Sequence, residues 1–404
     1  MNKIKKPELL APAGNLEKMK WAIMYGADAV YFGGQNYSLR ANADNLSVEE
    51  IKEACNYAHK YKKRVYVTVN IAFHNEDAIN LEQYLIDLYN SGVDAIIISD
   101  PLVLDICKKA VPNMEIHLST QQNTLNYEAC KYWAKEGITR IVLGRETSKD
   151  DIKEIVEKGN IEIETFIHGA MCVGYSGRCV LSNYFTNRDS NRGGCSQICR
   201  WNFKLCDEFK KEIETDIDFS MAVKDLSMAQ HIKELIDLNV TSLKIEGRMR
   251  SIYYISTVIS IYRKLIDDYC SNPKNYKYNK QYEYELYRCA NREAVPQYFN
   301  HKPGAEEQYY LGRDEVSNKD FLGIVLDYDE DSQEIVLEQR NFFKVNDEIT
   351  LFGPNIDTFS IKVEYIKDDK FELVDAARHP QQIVRIPCNK RVYKNNIIRV
   401  NFYY

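Results

Sequence analysis

The chain repeats one arrangement of polar and apolar positions four times. In each copy a helix-like stretch ends at Gly or Asn, two small or polar residues follow, and an unbroken apolar run begins. Gly and Asn tolerate the left-handed conformation in which many helices end. Apolar runs that do not alternate are typical of strands buried on both faces of a parallel sheet. The pattern therefore predicts alternating helices and parallel strands, with helix ends at Gly26, Gly92, Gly137 and Asn239.

Eight apolar runs of this kind precede a long amphipathic stretch. Because eight strands alternating with helices are typical of one architecture, we predict a (β/α)8 TIM-type barrel over residues 1–270. A doubly wound open sheet is the alternative, and it is disfavoured because no G-x-G-x-x-G motif follows a strand. The predicted strands are Glu8–Ala11, Ala29–Gly33, Arg64–Asn70, Ala95–Ser99, Glu115–Ser119, Arg140–Gly144, Ile161–His168 and Ser242–Glu246. The predicted helices include Asn15–Tyr25, Val48–Tyr61 with Ser47 as its N-cap, Glu82–Asn90 and a closing helix, Ile252–Tyr269.

The pattern changes after the barrel. Residues 271–319 are polar, rich in tyrosine and irregular, so we interpret them as a connector. Residues 320–404 contain short apolar runs separated by turn residues, which predicts a small β-barrel domain. Its predicted strands are Leu322–Leu326, Glu334–Leu337, Glu348–Leu351, Phe359–Ile366, Phe371–Val374, Arg391–Tyr393 and Ile398–Phe402.

Charge and hydropathy restrict the function classes. The 404 residues carry a net charge of −6, so an RNA site requires a local basic patch rather than a global positive field. Lys390, Arg391, Lys394 and Arg399 form the candidate patch, and an ordinary solvated surface is the alternative. No apolar stretch is long enough for a transmembrane helix, and no apolar segment follows the N-terminal lysines as in a signal peptide. We therefore expect a cytoplasmic protein without membrane attachment.

Four of the 11 cysteines are clustered between residues 172 and 199, within a cysteine-rich loop predicted over residues 170–206. Because disulfides are rare in the cytoplasm, a cluster of this density indicates a metal site. Structural zinc sites usually have paired C-x2–4-C ligands, so the wider C-x6-C-x15-C-x3-C spacing favours an iron–sulfur cluster. Zinc and a metal-free loop are the alternatives. The candidate ligands are Cys172, Cys179, Cys195 and Cys199, with Cys206 as a possible replacement for the last.

Polar residues follow the predicted barrel strands. Active sites of such barrels lie at the C-terminal ends of the strands, so these residues should converge on one mouth. Two structural alternatives are a buried His168 bonded to backbone and a salt bridge between Glu246 and Arg248. We predict His168, Glu246 and Arg248 as catalytic residues, and Asn70, Gln121, Arg145 and Lys244 as substrate-binding residues.

Hydrolytic motifs are scarce in the sequence. It contains neither H-E-x-x-H, the helix motif of zinc metalloproteases, nor the G-x-S-x-G elbow of serine hydrolases. The remaining hydrolytic arrangement is a thiol nucleophile, Cys172 or Cys179, with His168 as its base. Four clustered cysteines are more than such an enzyme needs.

Several motifs resemble those of the peptidase U32 family. ETFIHGAMC at residues 164–172 and GRCVLS at residues 177–182 closely resemble the family signature, which NRGGCSQICR at residues 191–200 continues. The resemblance covers about residues 7–300, and the C-terminal β-domain resembles that of the longer, tRNA-directed members. Residues 291–296 depart from the small-residue, glycine-rich run that is usual in such proteins. Further matches are PELLAPAG at residues 7–14, GADAVY at residues 26–31 and SLKIEGR at residues 242–248.

This resemblance implies a particular chemistry. The better-understood members look like iron–sulfur proteins for oxygen-independent hydroxylation, with the wobble uridine of tRNA among their targets. By the resemblance, a [4Fe–4S] cluster would be held by Cys172, Cys179, Cys195 and Cys199, and prephenate would be a co-substrate. The expectation is therefore an enzyme that forms 5-hydroxyuridine in tRNA, and a collagenase-like U32 peptidase is the alternative.

The expected partners are tRNA and a small anionic metabolite. Arg is a natural bidentate partner for carboxylates such as those of prephenate, and the metabolite would bind near Arg145, His168, Lys244 and Arg248. The sequence leaves open a homo-oligomer or an assembly with a second U32 protein.

Overall fold

A closed barrel forms the first part of the computed structural model, which describes residues 4–39, 44–216, 218–290, 292–310 and 320–401. The strands of its sheet are β1 (Glu8–Pro12), β2 (Ala29–Gly33), β3 (Arg64–Val69), β4 (Ala95–Ile98), β5 (Glu115–Leu118), β6 (Arg140–Val142), β7 (Glu162–Gly169), β8 (Asp225–Ser227), β9 (Ser242–Ile245) and β10 (Ala294–Val295).

Parallel pairing runs from β1 through β7 without interruption. β9 then pairs in parallel with both β7 and β1, which closes the barrel. Two short strands lie outside this ring: β8 is antiparallel to the end of β7, and β10 is parallel to β8. The predicted (β/α)8 TIM-type barrel is confirmed, and each of its eight predicted strands coincides with an observed one.

Helices follow most barrel strands and begin where the sequence predicts. The side chain of Ser47 accepts a hydrogen bond from the N–H of Glu50, whose carboxylate accepts one from the N–H of Ser47, so both groups cap the second helix. The four predicted helix ends have positive φ, between 59° and 112°. The helices are α1 (Leu16–Met24), α2 (Val48–Lys60), α3 (Leu81–Asn90), α4 (Pro101–Ala110), α5 (Tyr127–Lys135), α6 (Lys149–Lys158), α7 (Leu181–Thr186), α8 (Ile232–Asp237), α9 (Ile252–Ser271) and α10 (Gln281–Ala290).

A buried ion network occupies the barrel interior below the strand ends. Arg140 is 3% exposed and bonds to Glu8 at 2.6 Å and to Glu164 at 3.5 Å. Glu164 has no exposed surface and also accepts a hydrogen bond of 2.8 Å from Lys244. Buried charges need partners of this kind, because an uncompensated charge in the interior is strongly destabilising.

The second compact unit of the chain contains residues 256–260, 280–290 and 320–401. Its strands form an eight-stranded antiparallel sheet and a two-stranded antiparallel sheet around one apolar core that includes Val325, Leu337, Ile349 and Ile386. The predicted small all-β domain is confirmed. Its strands are β11 (Phe321–Asp329), β12 (Glu334–Gln339), β13 (Phe343–Lys344), β14 (Glu348–Gly353), β15 (Ile356–Lys362), β16 (Ile366–Lys367), β17 (Leu373–Val374), β18 (Ala376–Ala377), β19 (Ile383–Pro387) and β20 (Ile397–Val400).

Three local predictions were wrong. Arg391–Tyr393 is not a strand, and Ile383–Pro387, which was not predicted, forms β19. The predicted strand Phe359–Ile366 is interrupted between β15 and β16. The segment predicted to be an irregular connector contains α10, which buries Leu286, Cys289 and Ala290 at helical spacing.

Parts of three predictions lie outside the described residues. Asn291 begins the loop that departs from the U32 pattern, and Phe402 is the predicted end of the last strand; neither is described. Residues 311–319 of the predicted connector are likewise outside the described ranges. Within those ranges, no helix has the length and apolarity to span a bilayer.

Candidate functional site

One cavity of about 180 Å³ opens at the C-terminal ends of the barrel strands. Because all parallel strands of the barrel end at the same rim, residues far apart in the sequence meet there. The cavity brings together ten of the eleven predicted site residues: Asn70, Gln121, Arg145, Cys172, Cys179, Cys195, Cys199, Lys244, Glu246 and Arg248. His168 does not line it.

Glycines let the cysteine-rich loop lie close to the barrel rim. Gly169 ends β7 with a φ of +113°, and Gly177 has a φ of +71°. A Cβ atom on Gly177 would stand 2.0 Å from the backbone oxygen of Gln121, which no other residue type tolerates. The cavity wall on this side therefore depends on glycine.

The far end of the loop is fastened by hydrogen bonds and an ion pair. Asn191 and Ser190 donate to the backbone oxygen of Cys179 at 3.0 and 2.6 Å. Arg192 pairs with Asp77 through both of its terminal nitrogens, in the bidentate arrangement that orients two groups most strongly. These interactions hold residues 190–192 against Cys179 and against the segment that contains Asp77.

The four predicted thiol ligands all line the cavity, with Cys172 exposed and the other three partly buried. Burial raises the pKa of the Cys199 thiol to about 11, and the neighbouring Cys172 thiol adds to the effect. Among the described residues, no three His, Cys, Asp or Glu side chains stand close enough to hold one metal ion. Cys206 lies on an exposed hairpin and is not among the residues that line the cavity.

Cationic side chains also line the cavity. The guanidinium of Arg248 donates to Ser38 at 2.9 Å and to Thr68 at 3.2 Å, and it is 6% exposed. Arg145 donates to the backbone oxygen of Ala170, and its guanidinium lies 4.1 Å from the centre of the Phe166 ring. Two guanidinium groups from different strand ends thus face one cavity.

Lys244 lies deeper than the two arginines. Its ammonium donates to Glu164 at 2.8 Å and stands 4.4 Å from the centre of the Tyr31 ring. Burial lowers the pKa of Lys244, and the carboxylate of Glu164 acts against that shift. Burial acts to raise the pKa of Glu164, but the charges of Lys244 and Arg140 bring it down to about 2. The pair is therefore ionised in the folded protein.

Polar groups complete the wall. Asn70 donates to Ser119 at 3.1 Å, and its side-chain oxygen has no hydrogen-bond partner among the described residues. Buried polar atoms are usually paired, so the Asn70 oxygen is an acceptor available to a ligand. Glu146 lines the cavity and accepts from the N–H of Ser176 at 2.9 Å. Glu146 was not among the predicted site residues, although it directly follows Arg145 at the same strand end.

His168 is buried behind the cavity wall rather than exposed to it. Tyr262 donates from its hydroxyl to the backbone oxygen of Ile167 at 2.9 Å, and the same hydroxyl lies 3.2 Å from Nδ1 of His168. With its one proton committed, the Tyr262 oxygen accepts from Nδ1–H. Burial, with the nearby Arg250 charge, lowers the pKa of His168 to about 3. These contacts favour the structural alternative for His168, bonded here to a tyrosine.

The low pKa of His168 predicts that stability falls below neutral pH. The unfolded chain takes up a proton near pH 6.5, whereas the folded chain does so only near pH 3. Each pH unit between these values therefore removes up to about 1.4 kcal/mol of unfolding free energy. His168→Asn retains a donor at the Nδ1 position but cannot take up this proton. Its free energy of unfolding, measured with urea, should therefore fall less than that of the wild type between pH 8 and pH 5. His379→Asn, at an exposed position, is the matched control and should follow the wild type; equal pH slopes for all three proteins would contradict the assignment.

The sequence models of two protein families match this chain. The model of Peptidase family U32 matches residues 14–309, which is more than half of the sequence. The model of the Peptidase family U32 C-terminal domain matches residues 317–399. The two matches correspond to the barrel and to the all-β domain.

The names of similar proteins indicate different activities. The chain is 51% identical over 400 residues to tRNA hydroxylation protein P1 of Bacillus subtilis, a match that covers 98% of this chain and 95% of that protein. It is 38% identical over 260 residues to 23S rRNA 5-hydroxycytidine C2501 synthase of Escherichia coli, covering 64% of this chain and 39% of that protein. It is 30% identical over 400 residues to a collagenase of Porphyromonas gingivalis, covering 95% of each. Barrel, cysteine loop, C-terminal domain and full-length similarity together lead to one conclusion: the chain belongs to peptidase family U32.

Proposed function

We propose that this protein is an iron–sulfur enzyme that hydroxylates the wobble uridine of tRNA to 5-hydroxyuridine, independently of oxygen and with prephenate as co-substrate. One observation carries the proposal: four cysteines and the polar residues of several strand ends converge on a single cavity. The name of the B. subtilis relative, which matches nearly the whole chain at 51% identity, supports tRNA as the substrate.

The donor set suits the proposed cofactor. Cys172, Cys179, Cys195 and Cys199 would each supply one thiolate, the ligand that iron–sulfur clusters use. A cluster bound there would supply one-electron chemistry to the reaction. The fit rests on the number and type of ligands that line the cavity.

The remaining wall residues would bind and orient the small anion. Arg145 and Arg248 present planar guanidinium groups, which match carboxylates with two parallel hydrogen bonds. Asn70 would accept a hydrogen bond from a hydroxyl or N–H group through its unsatisfied oxygen. The rings of Tyr31 and Phe166 would exclude water beside Lys244. Together these residues would hold a dicarboxylate without a glycine-rich phosphate loop.

Mass analysis of tRNA nucleosides tests the proposal. A strain that lacks this gene should lose 5-hydroxyuridine and its derivatives, and the wild-type gene should restore them whereas a Cys195→Ser gene should not. Normal nucleosides in the deletion strain would overturn the tRNA assignment. Adding prephenate to the anaerobic purified protein with unmodified tRNA tests the co-substrate separately, since hydroxylation that is indifferent to prephenate would contradict that part alone.

The peptidase alternative has less support in the site. A cysteine hydrolase needs a base within hydrogen-bond reach of its thiol, and His168 is instead committed to Tyr262 and buried. The collagenase name of one relative keeps the alternative testable. Gelatin cleavage by a colourless, metal-free preparation would support it.

The C-terminal basic patch contains three residues rather than four. Lys390, Arg391 and Lys394 are exposed, but Arg399 is 1% exposed and pairs with Glu285 at 2.6 Å. Arg399 was therefore wrongly assigned to the surface, because its strand turns it toward α10. The three exposed cations remain candidates for binding phosphates.

Neutralising that patch should weaken tRNA binding in a salt-dependent way. Changing Lys390, Arg391 and Lys394 to Gln should lower the slope of log affinity against log salt by about one for each phosphate that is no longer neutralised. Point changes are preferable to removal of residues 320–404, because removal would leave Glu285 without Arg399. Filter binding across a salt series measures the slope, with Lys344→Gln, Lys362→Gln and Lys370→Gln combined as a control of equal charge. An unchanged slope in the first variant would show that the patch is only a solvated surface.

A further inference from the structure

Exposed apolar side chains are concentrated in the cysteine-rich loop and in the residues that follow it. Of the 21 large apolar side chains that are exposed among the described residues, nine lie between residues 173 and 219. Single exposed apolar residues are ordinary on protein surfaces, but a concentration beside a functional cavity indicates a binding surface. The nine are Val173, Tyr175, Val180, Tyr184, Phe185, Leu205, Phe209, Ile213 and Phe219.

Charge divides this region into two parts. Residues 173–200 contain four arginines and a single aspartate. Arg192 is paired with Asp77, whereas Arg178 and Arg188 are exposed and give this part its basic character. Residues 201–219 contain three lysines and six acidic residues, and they include a hairpin in which Phe203 and Phe219 exchange backbone hydrogen bonds at 2.8 and 2.9 Å. We call the exposed rings of Tyr175, Tyr184 and Phe185 the aromatic platform, and we call residues 203–216 and 218–219 the acidic hairpin.

The aromatic platform is fixed at the cavity. Tyr175 lines the cavity and is 48% exposed. Val180 directly follows Cys179, and α7 then presents Tyr184, which is 84% exposed. Ser182 in α7 accepts a hydrogen bond of 3.0 Å from the N–H of Ser196, beside Cys195. The helix that carries the platform is thus joined to both halves of the cysteine loop.

Two exposed arginines accompany these rings. The backbone N–H of Arg178 donates to the oxygen of Tyr175 at 3.0 Å, which places the two residues in one turn. Arg188 follows α7 and its N–H donates to the oxygen of Ser182 at 3.2 Å. Aromatic rings beside arginines are typical of surfaces that bind single-stranded RNA, because bases stack on the rings and phosphates pair with the cations.

We propose that the aromatic platform stacks unpaired bases of the RNA substrate that flank the nucleotide placed in the cavity. This inference rests on the proposed function in one respect, the assumption that the substrate is RNA. The acidic hairpin would not take part, because its net negative charge repels phosphates. The occupant is therefore single-stranded RNA on the platform, with Arg178 and Arg188 contacting its backbone.

The two most exposed rings of the region provide a matched pair for the test. Tyr184 is 84% exposed in basic surroundings, and Phe209 is 81% exposed in the acidic hairpin. Tyr184→Ala should weaken binding of fluorescein-labelled oligouridylate, and of unmodified tRNA, by about tenfold, as expected when one base no longer stacks on an aromatic ring. Phe209→Ala should bind both probes like the wild type. Circular dichroism and iron content should be unchanged in both variants, because neither side chain is buried.

A second pair of variants separates stacking from general apolar contact. Tyr184→Phe should retain wild-type affinity because the ring is still present, whereas Tyr184→Leu should bind as weakly as Tyr184→Ala. If Tyr184→Leu restores affinity, or if Tyr184→Ala and Phe209→Ala lose it equally, the platform is not a base-stacking surface. Arg178→Gln combined with Arg188→Gln should reduce the salt slope of binding by about two.

The outcome distinguishes this inference from the function on which it rests. If the wild-type protein neither binds nor modifies tRNA, the proposed function fails. If the wild type modifies tRNA and Tyr184→Ala does so at the same rate with limiting tRNA, only the platform is overturned. Affinity for RNA that is insensitive to every platform variant would also overturn it.

Discussion

Changing any one of Cys172, Cys179, Cys195 or Cys199 to Ser should bleach the protein and abolish tRNA hydroxylation. A serine hydroxyl stays protonated at neutral pH and is a hard donor, whereas iron–sulfur clusters require thiolates. Even residues that only support metal ligands cost about 10–100-fold when they are replaced, so removal of a ligand itself should exceed that range. Iron and sulfide content after anaerobic purification, visible absorbance and nucleoside mass analysis measure the loss.

Cys206→Ser is the matched control for these four variants. Its side chain lies on the exposed acidic hairpin, outside the cavity, so the variant should keep full iron content and activity. A Cys199→Ser protein that keeps its iron, and loses it only when Cys206 is also changed, would make Cys206 the fourth ligand. Four single variants that all retain iron and activity would show that the cluster assignment is wrong.

The barrel could be predicted because its signals are local. Each helix stop is encoded by a single Gly or Asn, at Gly26, Gly92, Gly137 and Asn239, and the next strand is encoded by the apolar run beside it. Once the strand order is known, the parallel arrangement places all strand ends at one rim. Ten of the eleven predicted site residues meet in the cavity for this reason, although their roles there stay predictions.

His168 is the predicted site residue that the strand order did not place correctly. Alternation along β7 would put Glu164, Phe166 and His168 on the same side, and the first two do face the barrel interior. The pairing of β7 with β9 shifts register between Phe166 and His168. Such an irregularity re-aims the next side chain, and His168 packs against Tyr254 and Tyr262 of α9 instead. A single sequence gives no signal for this bulge.

A missed helix explains the error at Arg399. The tyrosine-rich sequence around residues 281–290 obscured the helical spacing of Leu286, Cys289 and Ala290. Without α10 there was no candidate partner for Arg399, so it was grouped with nearby surface cations. In the structure its guanidinium pairs with Glu285 and lies 4.7 Å from the centre of the Phe352 ring. Long-range pairing of buried charges is not encoded in local patterns.

The buried pair of Glu164 and Lys244 predicts a large effect on stability. Glu164→Gln should lower the free energy of unfolding by about 3–5 kcal/mol, because it leaves the Lys244 ammonium without its counter-charge in the interior. The same pair predicts acid sensitivity. The pKa of Glu164 is lowered to about 2 from 4.5, so its contribution is fully present above pH 4.5 and is lost as the pH falls toward 2. Urea unfolding of the wild type and of Glu164→Gln at pH 7, 4.5 and 3 measures both effects, and Glu154→Gln, at a half-exposed ion pair, is the control.

The double variant Glu164→Gln with Lys244→Met then separates the two roles of Lys244. Removing both charges of a buried pair is often neutral for stability, so we expect most of the missing unfolding free energy to return. We do not expect wild-type kinetics in this variant, because Lys244 lines the cavity and its positive charge is part of the proposed anion site. The Michaelis constant for prephenate should rise at least tenfold relative to wild type, the equivalent of about 1.4 kcal/mol of weaker binding. If the double variant instead regains both stability and wild-type kinetics, Lys244 serves only the barrel interior, and the anion is held by Arg145 and Arg248 alone.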